Sequence, residues 1–367
     1  MDTHAPDITF DEAGVCSYCH IQDKLDRLFP LGQHGEAELK ALADRIRRHG
    51  RGKRYDCVVG VSGGRDTSYC LYHTKVIMGL RPLAVHFDNG WDSDVAKENL
   101  RKVCNGLGVD LHTVIADWEE SRELTNTTIR ACVPYIDLTD DVGIARALYD
   151  ACVAEGVRYI ILSHSFREEG VTPLKWNYMD GRYTRALIKR FGTMKFRKFK
   201  NVDLHHMIYW GFIKGIRIVN TTNFYDDTGV QVEELLKEQF GWVDTGQHHY
   251  DNELFGLVYN YARRKFGFDW RCVELSARVR TGIITRDEAL AILDQVPFFE
   301  NEDVVNYCLK KQGLSREEYE RIIAAPNKYF TDYPSWYPLL KLFKYPIKLA
   351  CRAHVVPAHA YEKYFEA

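Results

Sequence analysis

A short apolar run that ends in a serine and two glycines constrains this chain more than any other feature. Tyr55-Asp56-Cys57-Val58-Val59-Gly60-Val61 reads as a buried strand, and Ser62-Gly63-Gly64-Arg65-Asp66-Thr67-Ser68 follows it directly. From Thr67 to Met78 the spacing is helical. A strand that turns through two glycines into a helix brings a helix amino terminus to the end of a sheet. The glycines permit a tight turn and close backbone approach. The free N–H groups of the helix start favour an anion, and Ser62, Thr67 and Ser68 add hydroxyls. A polyphosphate is the ligand such a turn suits. Val61, Ser62, Gly63, Gly64, Asp66, Thr67 and Ser68 are therefore the candidates for binding it. The pattern G-x-x-x-x-G-K-[ST] is absent, so this is not a Walker loop.

Strand and helix signals keep alternating beyond that turn. Pro82 to Phe87 reads as a strand, 94–107 as a helix, 110–115 as a strand, 143–155 as a helix and Tyr159 to Leu162 as a strand. That alternation predicts a parallel, doubly wound α/β sheet, whose ligands sit beyond the carboxyl ends of its strands. Ahead of it, Ile8 to Cys16 reads as two short strands about a turn, and 36–48 as an amphipathic helix. After about 225 the spacing becomes helical at 229–240, 253–265, 286–294, 302–311 and 315–324. The expected organisation is an N-terminal lobe at 1–52, a nucleotide-binding domain at 53–225 and a helical domain at 226–367.

With 367 residues, length allows about two domains. The formal charge of −2 argues against a strongly basic nucleic-acid binder and against an acidic disordered chain. No apolar run approaches the roughly 20 residues of a membrane span. The acidic start Met1 to Asp7 is unlike a secretion signal, so a cytoplasmic protein with no membrane partner is expected. The ten cysteines are scattered, which suits reduced core thiols.

The serine–glycine turn resembles the S-G-G-x-D-S pyrophosphate loop of the ATP pyrophosphatase superfamily, with Thr67 replacing serine. The likeness narrows along the chain. Asp7 to Glu12 with Gly14-Val15-Cys16-x-x-Cys19, Arg81 to Trp91, Asp117-Trp118-Glu119-Glu120, Glu169-Gly170, Phe240-Gly241-Trp242, Lys265 to Asp269 and Gly282 to Leu290 are similar to the N-acetyl sugar amidotransferases of surface-polysaccharide biosynthesis. The resemblance implies a reaction in which an acetamido group of a nucleotide sugar becomes an acetamidino group. The amide oxygen attacks the α-phosphorus of ATP, pyrophosphate leaves, and ammonia displaces AMP. It also implies ATP and Mg²⁺, with Asp66 as the nearest candidate carboxylate and Glu169 and Asp141 as further ones. A separate glutaminase or ammonia-delivering protein is the implied partner. In a fold of this kind the main chain at Val85 to Phe87 reads adenine and Asp88 meets the ribose, so His86, Phe87 and Asp88 join the nucleotide set.

The departures from the family pattern lie on the acceptor side. Ser163 to Gly170 keeps only the final Glu-Gly of G-T-N-x-x-T-E-G, Arg65 stands where a small apolar residue is usual, and G-G-K-H-x-E appears as Gly246 to Asp251. A sulfurtransferase of the same superfamily is the alternative, thiolating a carbonyl of a nucleobase or other small molecule, with a sulfur-donating partner and Cys132 or Cys272 as persulfide carrier; Cys104 is a weaker candidate. Lys175 could steer an anionic acceptor, and His249 in the G-G-K-H-x-E stretch is a candidate base. Cys16 and Cys19 have the spacing of half a zinc knuckle. His205-His206, the basic run Lys189 to Lys200 and the aromatic tail at 329–345 suit surface or packing roles.

Overall fold

The computed structural model describes residues 1, 3–225, 229–244, 252–295 and 297–366. Two helices come first, α1 (Ser17–Leu28) and α2 (Gly32–His49). The sheet region follows as β1 (Cys57–Gly60), α3 (Arg65–Tyr72), β2 (Pro82–Asp88), α4 (Asp94–Leu107), β3 (Leu111–Ile115), α5 (Trp118–Arg130), α6 (Leu138–Glu155), β4 (Tyr159–Leu162), α7 (Gly181–Phe191), α8 (Leu204–Ile208) and β5 (Arg217–Asn220). Helices complete the chain: α9 (Gly229–Phe240), α10 (Phe255–Phe266), α11 (Arg271–Arg280), α12 (Arg286–Asp294), α13 (Glu302–Gln312), α14 (Arg316–Ala324), α15 (Tyr337–Leu342), α16 (Lys344–Arg352) and α17 (Ala358–Phe365).

Among the described residues the five strands of the sheet are all parallel, in the order β3-β2-β1-β4-β5. This is the doubly wound α/β sheet expected from the alternation of signals. Side chains along β1 point alternately to the two faces. Cys57 and Val59 pack with Ile46, Cys70, Val103 and Leu236, from α2, α3, α4 and α9. Val58 packs on the other face with Leu148, Cys152 and Trp210. The chain leaves β1 for β2 on one side and β4 on the other, so the crevice between β1 and β4 is the switch point of the winding.

Local chemistry sets the boundaries. Ser93 Oγ accepts the Ala96 N–H at 3.2 Å to start α4, and Gly108 ends it at φ +58°. Asp117 caps α5 through the Glu120 N–H at 3.1 Å. The Ile8–Cys16 segment departs from expectation: it forms a single bridge, Phe10 to Cys16. Asp11 explains this, because its carboxylate takes the N–H groups of Ala13 and Val15 and closes a turn that leaves no length for a hairpin.

The helices beyond β5 do not stand apart from the sheet region. Leu257, Val258 and Tyr261 of α10 share a core with Trp91, Ile129 and Ile136. Tyr18, Ile21 and Leu25 of α1 pack with Phe166, Trp176 and Phe268. The Phe330 ring stacks on Tyr178 at 4.0 Å.

Gly143 on α6 lies against the Phe87 ring, so close that a Cβ there would meet ring carbon at 2.1 Å. Gly143→Ala should therefore lose about 1–3 kcal/mol of stability, read as a lowered midpoint in thermal or denaturant unfolding; an unchanged midpoint would show that the ring is free to turn aside.

Candidate functional site

The turn after β1 is held from within and from without. Thr67 Oγ1 accepts the Ser62 N–H at 3.1 Å and lies 3.1 Å from Ser62 Oγ, which accepts the Gly64 N–H at 3.3 Å. Gly63 sits at φ +88°, where a Cβ would meet the Ala96 carbonyl oxygen at 2.1 Å. Only glycine fits between this turn and α4. Trp242 closes the other side: its buried indole N–H donates to the Gly63 carbonyl at 3.0 Å. The Phe240-Gly241-Trp242 motif therefore clamps the turn, with Gly241 at φ +64° sending the chain back.

Asp66 lies in the first turn of α3 and accepts Arg65 Nε at 2.7 Å. Arg65 also bonds Glu168 at 2.9 Å and lies 3.7 Å from Glu233. Burial works against the guanidinium charge, but the three carboxylates outweigh it and hold its pKa above the ordinary arginine value. Arg65 thus ties the turn after β1 to the loop after β4, across the switch point.

The strand-end residues divide between support and lining. His86 Nδ1–H donates to the Val61 carbonyl at 2.9 Å, and Nε2 lies 3.1 Å from Asp92. Burial opposes charge on His86, yet Asp92 pulls its pKa up; burial pushes Asp92 up in turn. The His86 side chain is thereby occupied in holding the turn. Asp88 accepts the Gly90 N–H at 2.8 Å, with Lys97 at 4.0 Å. Phe87 lines a cavity of about 600 Å³ beyond β2 and β3, with Ile115, Thr139, Arg146 and Lys198.

A second group of titratable residues surrounds the carboxyl end of β4. His164 Nδ1 and Glu169 Oε2 are 2.8 Å apart, and the other Glu169 oxygen accepts the Ser165 N–H at 3.1 Å. Burial disfavours the imidazolium, but Glu169 outweighs it and raises the His164 pKa. The His359 ring lies 4.5 Å from His164. Burial, with His164 and Lys363 adding to it, drives His359 well below its ordinary range, so it is neutral. Asp141 is raised by burial and opposed by Lys363, Tyr135 and Asn177. That partner set suits a hydrogen-bonded carboxylate beside an ammonium group rather than a magnesium ligand. Asp137, one turn earlier, is 1 % exposed, and neither of its oxygens has a hydrogen-bond partner. Burial and the Asp141 charge push it up to about 7. His359, Lys363 and Asp137 were not singled out in the sequence. The spacing of His359 and Lys363 on one helix face was the available signal.

The remaining candidates are scattered. Lys175 is committed to Asp7 at 2.9 Å. His249 lies outside the described residues. Cys16 and Cys19 have sulfurs 3.5 Å apart, with Arg280 against them. Among the described residues, the one group of three potential ligands is Asp203, His205 and His206, so the cysteine pair supplies two zinc ligands and not four. The pair thus does not fit a closed zinc site. Cys104 is pushed up to about 11 by burial, which keeps it a protonated thiol. The basic run is anchored: Glu120 accepts the N–H groups of Arg197, Lys198 and Phe199 at 2.6, 2.9 and 2.5 Å. No helix among the described residues is long and apolar enough to cross a membrane.

Residues 239–346, the stretch that includes Trp242, match the family described as "LPS biosynthesis protein WbpG-like, C-terminal domain". Uncharacterized protein MJ1599 of Methanocaldococcus jannaschii is 22 % identical over 294 residues, 78 % of this chain and 88 % of that protein. Among solved structures, the U34-tRNA thiolase NcsA of Methanococcus maripaludis with its [4Fe-4S] cluster is 13 % identical, over 77 % of this chain and 91 % of that one, at a TM-score of 0.33. The NH3-dependent NAD synthetase of Campylobacter jejuni is 12 % identical, over 80 % and 98 %, at a TM-score of 0.31.

The buried Asp137 has a signed consequence for stability. A carboxyl whose folded pKa lies above its unfolded value binds its proton more tightly when folded, so stability falls as pH rises from about 4 to about 7. Asp137→Asn should remove that slope. Above pH 7 the variant should exceed the wild type by up to about 4 kcal/mol, with little difference near pH 4; parallel stability–pH curves would contradict this.

Proposed function

We propose that the protein is an ATP-dependent enzyme that adenylates an amide oxygen and replaces it with nitrogen, releasing AMP and pyrophosphate. The observation that carries this reading is the turn at Ser62 to Thr67. It gathers hydroxyls, backbone N–H groups and a helix start at the switch point of a parallel sheet. The match of residues 239–346 to a lipopolysaccharide-biosynthesis family supports an acetamido nucleotide sugar as acceptor.

An amide is a poor electrophile, and its oxygen is a poor leaving group. Attack of that oxygen on the α-phosphorus turns it into a phosphate ester and expels pyrophosphate. Ammonia then adds to the imidate carbon, and AMP leaves with the C–O electron pair. In this reading the chain positions the two reactants and meets charge as it develops. Ser62, Thr67 and the backbone from Gly63 to Ser68 hold the phosphates. Phe87 and Asp88 flank the nucleoside. His86 and Trp242 keep the turn in shape. A magnesium ion on the phosphates would neutralise their charge, with Asp66 as the carboxylate on that side. A glutaminase or other ammonia-delivering protein is the proposed partner, and the cytoplasm the proposed compartment.

The test is turnover with ATP, Mg²⁺ and a panel of acetamido nucleotide sugars, comparing ammonium with sulfide and following AMP and product mass. A product in which NH has replaced oxygen, formed only with ammonium, is the expected result. Sulfur in place of oxygen, formed only with sulfide, would transfer the protein to the sulfurtransferases. Asp66→Asn should lower AMP formation about 100-fold or more while leaving the unfolding midpoint near that of the wild type. AMP formation at the wild-type rate would remove Asp66 from the site.

A further inference from the structure

The turn that precedes α1 brings two cysteines together at a helix start. One Asp11 oxygen closes that turn by accepting the N–H groups of Ala13 and Val15, and Phe10 bridges to Cys16 across it. The other Asp11 oxygen lies 2.9 Å from His20 Nε2, which fastens the turn to the beginning of the helix. Cys16 is the residue from which α1 starts: its carbonyl accepts the N–H groups of Cys19 and His20 at 2.9 and 3.3 Å. The Cys16 sulfur makes no capping bond. It lies 3.5 Å from the Cys19 sulfur instead. Six of the ten cysteines are buried, whereas Cys16 and Cys19 are half-buried and open in part to solvent.

A cation completes the group. Helix α1 packs on α11 through Tyr18, Ile21 and Val273. That contact sets Arg280, in the last turn of α11, against the two sulfurs. Arg280 Nε is buried and has no hydrogen-bond partner. The first turn of α1 carries no carboxylate that would occupy the positive end of the helix. One sulfur at a helix start, a second in contact with it and a guanidinium alongside is the setting in which a cysteine pair exchanges with disulfides. We propose that Cys16 and Cys19 form a thiol–disulfide exchange site that takes a small-molecule disulfide, with Cys16 as the attacking sulfur and Cys19 as the resolving one. The site does not depend on the nitrogen-transfer reading.

The exchange balances. The Cys16 thiolate attacks one sulfur of the disulfide; a new S–S bond forms, the old one breaks, and the first thiolate leaves. Cys19 passes its proton to that thiolate and attacks the Cys16 sulfur, which expels the second thiolate; this takes up the proton Cys16 had released. The protein has lost two hydrogens and two electrons, and the disulfide has become two thiols. Burial, with the Cys16 contact adding to it, raises the Cys19 pKa, which suits the sulfur that holds its proton until the second step.

Geometry sets the character of the bond as well. From 3.5 Å the sulfurs close by about 1.5 Å to reach the length of a disulfide. Only Ser17 and Tyr18 lie between the two cysteines, so the bond removes little chain entropy from the unfolded state. A disulfide that adds so little to the fold is readily reopened by thiols.

The test is a redox titration of the full-length protein in glutathione buffers of graded ratio under argon, followed by acid quench, alkylation and peptide mass spectrometry. The peptide holding Cys16 and Cys19 should pass from two labels to none with the loss of two hydrogens, and dithiothreitol should restore both labels. Cys351, half-buried but without a neighbouring thiol bond and pushed up to about 12 by burial, should keep its label. In Cys19→Ser the reaction should stop at a mixed disulfide of Cys16 with glutathione. In Cys16→Ser a mixed disulfide at Cys19 should form about 10-fold more slowly. Two labels retained at the most oxidising ratio would overturn the site, as would loss of label at Cys351 in step with the pair. Faster reaction at Cys19 than at Cys16 would overturn the assigned order. Zinc bound at one ion per chain, shielding both thiols from label until a chelator is added, would overturn the exchange role in favour of a metal. The wild-type titration needs no variant, so it decides the matter even where a substitution lowers the unfolding midpoint.

Discussion

The hydrogen bond from the Trp242 indole to the Gly63 carbonyl joins the parts on which this structure depends. Gly63 is already pressed on α4 so closely that it admits no side chain, and its positive φ would strain any other residue. A carbonyl turned outward at such a bend needs a partner, because an unpaired buried acceptor costs about 1–3 kcal/mol. Trp242 supplies that partner from the chain beyond α9. The turn after β1 therefore keeps its shape only when the C-terminal part of the chain is folded against it. His86 repeats the device from the sheet side through the Val61 carbonyl.

Electrostatics divides the switch point into two halves. On the side of the turn, Arg65 is shared among Asp66, Glu168 and Glu233. Its charge offsets part of a strongly acidic surrounding that would otherwise repel a polyphosphate. On the side of β4, carboxylates outnumber cations, and Lys363 and His359 are both held toward their neutral forms. Glu168 and Glu169 are neighbours in sequence yet serve opposite halves, one bonded to Arg65 and the other to His164. Gly170 makes this possible: at φ +75° it turns the chain onto α11, with a Cβ position only 3.0 Å from the Val273 carbonyl oxygen.

Much of the sheet was legible because its signals are local. β4 follows the apolar run Tyr159 to Leu162, and α4 follows a Ser cap and a Gly stop. The turn was legible for the same reason, since glycines and hydroxyls act within a few residues. β5 was missed: Arg217-Ile218-Val219-Asn220 is four residues with polar ends, and pairing with β4 makes it a strand. α5 was missed because its buried face carries Glu120, Glu123, Asn126 and Thr127, so apolar periodicity cannot reveal it. Three of these have long-range tasks: Glu120 receives three backbone N–H groups of the basic run, Glu123 takes the Thr193 N–H, and Asn126 donates to the Gln312 carbonyl. For the cysteine pair, spacing alone suggested a metal, whereas the fold sets Arg280 against it.

The half of the site around β4 was least legible, and the reason is physical. A phosphate-binding turn needs its groups in one stretch, because backbone N–H groups converge only over a few successive residues. A cleft that sets proton affinities needs charges brought from separate elements, because enclosure by the whole fold is what shifts them. Asp137 stands just ahead of α6 and Asp141 in its first turn, His164 and Glu169 lie in the loop after β4, and His359 and Lys363 on the last helix. In the sequence Asp141 and Glu169 stand out only as candidate carboxylates, and Asp137, His164, His359 and Lys363 carry no signal of a shared site. Their joint character arises only when α17 is seated by Lys24, Lys344 and Tyr364. The aromatic tail, which as sequence suggests packing or a partner surface, carries the chain from α14 to that seat. Phe330 and Tyr337 stack around Tyr178 on the way. Packing in the tail and the seat of the last helix are thus one arrangement: loosening the aromatic contacts would withdraw His359 from the His164 ring that lies 4.5 Å from it.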